Sequence, residues 1–121
     1  MKVLFGLAAG VMLLIGVSWL LVPQGALASW GLQADAGLVF IARRVGALCL
    51  GYAVILWLAR RAERSPARGA ILLGNAVVNG AMALLSLAGV LRGVVSPAAW
   101  SAVVAESALA VAFACYWITA R

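Results

Sequence analysis

The chain is 121 residues long, room for one domain, and 67% of those residues are hydrophobic; with a mean hydropathy of +1.15 that exceeds what a soluble domain carries, and lipid is the expected solvent. The formal charge of +6 comes mostly from arginines between and beside apolar segments, so it reads as topology signals and headgroup contacts and excludes a nucleic-acid surface. Histidine is absent, which excludes histidine-ligated haem or zinc and any nucleophile activated by imidazole, and no cofactor is expected.

After Met1 and Lys2 come 20 uncharged residues, positions 3–22, enough to cross about 30 Å of hydrocarbon as a helix. A signal peptide competes, with Lys2 as its basic start and Ala26-Leu27-Ala28 as its cleavage site. The apolar run is longer than such a leader uses, which favours a membrane span. Gly6 and Gly10 form a GxxxG spacing, continued by Leu13 and Val17, that allows close approach of another helix. Pro23 is expected to end this helix, and the run from Pro23 to Gly37 is the longest connection. Trp30 and Leu32 are placed in the interface there, and Asp35 is the only charge.

The second span, 38–59, carries Arg43 and Arg44 a turn and a half inside its limit. A lone charge at mid-membrane costs about 2.5 to 3.5 kcal/mol on insertion scales, so such an arginine needs a partner or an aqueous pocket. A short link follows in which Arg60, Arg61, Arg64 and Arg68 crowd around Pro66. Short arginine-rich loops stay in the cytoplasm, which places both chain ends, Lys2 and Arg121 among them, on that side. Trp19, Trp30 and Trp100 then mark the outer interface, and Trp57 and Trp117 the inner one.

The third span, 69–91, sets Asn75, Asn79, Met82 and Ser86 on one helical face, a stripe expected to point into a bundle. Small residues at Gly74, Ala76 and Gly80 favour tight packing. The fourth span, 98–120, lines up Ala102, Glu106, Ala110 and Ala114 at four-residue intervals, so the carboxyl lies among small side chains. Cys49 and Cys115 have no CxxC spacing and sit about two turns apart in depth, which reads as two small core residues. The expected fold is all-α: a single membrane domain over 1–121, a transmembrane four-helix bundle with cytoplasmic N and C termini.

The expected site joins the second and fourth spans. Arg43 and Arg44 lie five and six residues past Leu38, and Glu106 eight past Ala98, so an ion pair in the outer half is easy to form. Arg43, whose face carries Gly46 and Ala47, is the favoured partner of Glu106; Arg44 is left to snorkel outward. Two readings stand. In one, the pair fixes helix register. In the other, Arg43 or Arg44 grips an anionic group, with Tyr52, Asn75 and Asn79 adding hydrogen bonds.

The four-span layout, with Arg43-x-x-Gly46, then Gly51, then Trp57-Leu58-Ala59-Arg60, resembles the DoxX-like integral membrane proteins of bacteria. Some of that group accompany quinone-linked oxidoreductases, so the resemblance implies a membrane subunit; Arg43 and Gly46 carry over as positions, without chemistry. The leading expectation is an accessory or structural subunit of the inner (plasma) membrane, joined to other subunits or to copies of itself. The alternatives are a binder of an anionic lipid or quinone and, further off, a proton-coupled transporter using Glu106. An enzyme lacks the second acid or base that a catalytic cycle needs.

Overall fold

The computed structural model describes residues 1–120. Arg121, expected at the cytoplasmic side, lies outside the described residues. All regular elements among them are helical: α1 (Lys2–Leu21), α2 (Pro23–Ser29), α3 (Ala36–Ala59), α4 (Pro66–Leu91) and α5 (Trp100–Thr119), with a 3-10 turn at Pro97–Ala99 leading into α5. Four stretches are long and apolar enough to cross a membrane: α1, α3, α4, and the 3-10 turn together with α5. The shortest has 20 residues, about 30 Å of helix. The chain folds as two compact units, one over Lys2–Arg60 and one from Arg61 onward that also takes in Met1.

In the first unit α1 packs along α3, with α2 bridging their ends. The contact is closest where two glycines meet. A Cβ on Gly46 would stand 2.7 Å from the backbone nitrogen of Leu20 and 2.9 Å from the carbonyl oxygen of Gly16; one on Gly16 would stand 2.8 Å from Cδ2 of Leu50. Gly16 against Leu50 and Leu20 against Gly46 share one residue-number sum, the register of an antiparallel pair. Ala42, Gly46, Ala53, Leu56 and Ala59 form the buried stripe of α3. Gly6, Gly10 and Gly51 have no heavy atom within 4 Å of where a Cβ would stand. The α1 contact is therefore made by Gly16, which the sequence reading passed over, and not by the GxxxG pair.

The connection expected to be irregular contains α2. Its sequence carries the signals of a short helix: Pro23 in the first turn, where the missing N–H costs nothing, and Gly31 beyond the end at φ 74°. Gly31 N donates to the Ala28 carbonyl and Leu32 N to that of Leu27, at 2.9 and 3.0 Å, a Schellman closure. Trp19 and Trp30, two of the three tryptophans expected at the outer interface, meet edge to face at 6.3 Å between centroids. Asp35 Oδ1 accepts from Leu38 N at 2.8 Å and starts α3 at Ala36, two residues before the expected limit.

In the second unit α4 packs along α5. Ser65 caps α4 and Pro66 occupies its first turn, so the helix begins three residues earlier than 69. A second Schellman closure ends it, with Gly93 at φ 68° and Val94 N donating to the Gly89 carbonyl at 2.9 Å. The buried stripe of α4 is Leu72, Asn75, Asn79, Ala83 and Ser86. Met82, expected on that stripe, is 45% exposed, and Ala83 takes its place. A Cβ on Gly80 would stand 4.0 Å from the Ala110 Cβ, an ordinary contact, and Gly74 is open. Ala102 and Ala110 are half-buried on α5.

Gly46→Ala is expected to push α1 and α3 apart and lower the stability of the chain by about 1 to 3 kcal/mol. Gly51→Ala, five residues on and open, should change it by less than about 0.5 kcal/mol. Thermal unfolding of both variants in one detergent compares them directly.

Candidate functional site

The polar groups of the second unit gather on the α4 stripe and the α5 face opposite it. Asn75 and Asn79 are 1% and 3% exposed and Ser86 is 5% exposed, all one to three turns apart on one side of α4. Each amide satisfies its donor locally. Asn75 Nδ2 donates to the Ile71 carbonyl at 2.8 Å and Asn79 Nδ2 to the Asn75 carbonyl at 2.9 Å, one turn back along α4. Both amide donors are thus satisfied within their own helix, although the stripe was expected to turn them into the bundle. Asn75 Oδ1 is left buried with no hydrogen-bond partner. Such an acceptor keeps its desolvation cost uncompensated.

Ser86 takes the other role. Its hydroxyl donates across the hairpin to Glu106 Oε2 at 2.9 Å. Ser86 stands five residues before the end of α4, about 7.5 Å along the axis, so the bond lies a turn and a half from the end of the helix. Glu106 is half-buried there between half-buried Ala102 and Ala110. Ser86 shares the stripe expected from the sequence but was not among the expected site residues; Asn79, which was, lies seven residues away, about 10 Å along α4.

The first unit holds the other expected residues. Arg43 and Arg44 are exposed on α3, off the Ala42–Gly46 stripe that meets α1, and the Arg44 guanidinium lies 5.8 Å from the Phe40 ring centre. Tyr52 is half-buried two turns further on, and Gly51 is open. An open groove of about 430 Å³ lies where α1 meets α2, lined by Leu14, Ser18, Trp19, Val22, Ala26 and Ser29 among others. Both serine hydroxyls there donate to carbonyls of their own helices, Ser18 to Leu14 at 2.8 Å and Ser29 to Ala26 at 2.7 Å. Arg43, Arg44 and Tyr52 do not line it.

Cys49 and Cys115 are both free thiols. Among the described residues no group of three or more His, Cys, Asp or Glu side chains is placed to hold a metal ion.

A family model described as a domain of unknown function, DUF8292, matches residues 1–118. The chain belongs to this family. No curated protein and no solved structure matches it. What these residues can do therefore follows from their own chemistry: in the second unit one carboxyl held by one hydroxyl and one buried acceptor without a donor, and in the first unit two exposed arginines on a long apolar helix.

Ser86→Ala should lower stability by about 1 kcal/mol, the scale of a hydrogen bond between membrane helices, while Ser86→Thr keeps most of it. Ser107→Ala, an exposed hydroxyl beside Glu106, should stay within about 0.5 kcal/mol of the parent. Equal losses at Ser86 and Ser107, measured by thermal unfolding, would remove the Ser86–Glu106 bond from the account.

Proposed function

We propose that this member of DUF8292 is a multi-pass subunit of the inner (plasma) membrane that acts by associating, with copies of itself or with other membrane subunits. The observation that carries the reading is the unused glycine pair of α1. Gly16 and Gly46 already make the α1–α3 contact, yet Gly6 and Gly10 still present an open small-residue strip one turn apart. Small residues at that spacing let two helices approach closely in lipid, where apolar burial gives no drive. Val3, Leu7, Leu14 and Val17 flank the strip and are exposed, as the rim of a helix contact requires.

In this reading the two hairpins form a four-helix bundle with N and C termini in the cytoplasm, an orientation supported by the arginines from Arg60 to Arg68. The resemblance to DoxX-like proteins agrees with a subunit role. Purified in mild detergent, the chain is expected to migrate as a defined oligomer or with partner proteins. Gly6→Ile combined with Gly10→Ile should weaken that association by about tenfold or more while leaving helix content unchanged. A monodisperse monomer without a partner ends the proposal.

A second reading rests on Arg43 and Arg44. Exposed guanidiniums a turn and a half inside a span suit an anionic lipid or quinone as ligand, with Glu106 as counter-charge in a closed bundle. Arg43→Gln should then reduce the yield of co-purified lipid or quinone extracted from the native membrane. An unchanged extract would argue against it.

A further inference from the structure

The arginine-rich end of the second hairpin contains a small pocket lined by Met1, Arg64, Ser65, Arg68, Gly69 and Ala120. Its volume is about 30 Å³, enough for a small group to enter. The pocket lies between the start of α4 and the end of α5, so it is a basic cavity between the ends of two membrane-spanning helices. Ser65 Oγ is occupied in capping, accepting from Arg68 N at 3.2 Å.

The bonding of Arg68 is incomplete. Its Nε is buried with no hydrogen-bond partner. One of its terminal nitrogens donates to the Met1 thioether sulfur at 2.8 Å, and a thioether is a weak acceptor. A guanidinium normally satisfies itself on oxygen anions, two bonds at a time. Here a charged fork is held in a cavity with one donor orphaned and another spent on sulfur. Arg64 brings a second positive charge to the same walls, and the α4 N-terminus adds the positive end of a long helix dipole.

We propose that this pocket takes the phosphate of an anionic phospholipid, with Arg68 supplying the paired N–H donors and Arg64 the second charge. The recognised chemistry is a phosphate oxyanion, and its source is the bilayer in which the adjoining spans sit. Basic pockets between helix ends at a membrane face are where such headgroups lodge. The assignment is independent of the association through Gly6 and Gly10.

The test is native mass spectrometry of the full chain released from nanodiscs containing equal parts phosphatidylglycerol and phosphatidylcholine. Phosphatidylglycerol should be retained in preference. Arg64→Gln with Arg68→Gln should reduce that preference by about fivefold per arginine, while Arg92→Gln, at the opposite end of α4, leaves it unchanged. Raising the salt to 0.5 M should weaken the preference in the parent protein, a reading that stands even where the double variant does not fold. Equal retention of both lipids, or a preference that survives loss of both arginines, overturns the proposal. So does competition by inorganic phosphate at the lipid's own concentration, which would assign the pocket to free phosphate.

Discussion

In hydrocarbon, burying an apolar side chain against another helix gains little over leaving it in lipid, so helices that cross a bilayer are held by close backbone approach and by polar contacts. Each hairpin of this chain uses one of these devices. The first brings α1 and α3 together at Gly16 and Gly46, where an added Cβ would stand within 3 Å of the opposing helix. The second joins α4 and α5 through the Ser86 hydroxyl and the Glu106 carboxyl. Phe5 and Phe113, both fully buried, complete the packing, but the spacing of each pair is set by its glycine or polar contact.

The polar side chains inside the spans are handled differently from one another. Asn79 and Asn75 turn their amide donors onto their own helix, so they need no neighbour to be tolerated at that depth. The carboxyl of Glu106 cannot do this and takes a hydroxyl from α4. Arg43 and Arg44 have long stems that can carry the charge toward the headgroup layer, and both are exposed. The one group left unsatisfied among these is the Asn75 oxygen, which makes Asn75 the position where a donor from a ligand, a water or a partner would gain most.

Much of this architecture was legible in the sequence because length and hydropathy determine membrane spans almost alone. The four expected spans match the four long apolar stretches within a few residues, and the shifts at Ala36 and Pro66 follow from caps, Asp35 and Ser65, that the residue pattern already contained. Helix α2 was not among the expected elements: Pro23 and Gly31 carry the signals of a short helix, but the polar and small residues between them read as a loop. Harder to read was the choice among glycines. Gly6, Gly10, Gly16, Gly46, Gly51 and Gly74 are chemically identical, and only the rotation of one helix about its neighbour decides which two touch. The same rotation moved Met82 off the α4 stripe and put Ala83 on it. Ser86 was placed on the correct face, yet its pairing depends on the α5 register, which no spacing within α4 reveals.

The Ser86–Glu106 bond also acts as a key for that register. If α5 slid along α4 by one turn in either direction, the carboxyl would come to face Ala83 or Val90, and neither side chain can donate. The next donor on the stripe is Asn79, a full two turns from Ser86. Sliding therefore has no partly bonded intermediate stop, and the hairpin has a single alignment over roughly 10 Å of travel in that direction, fixed by one hydroxyl.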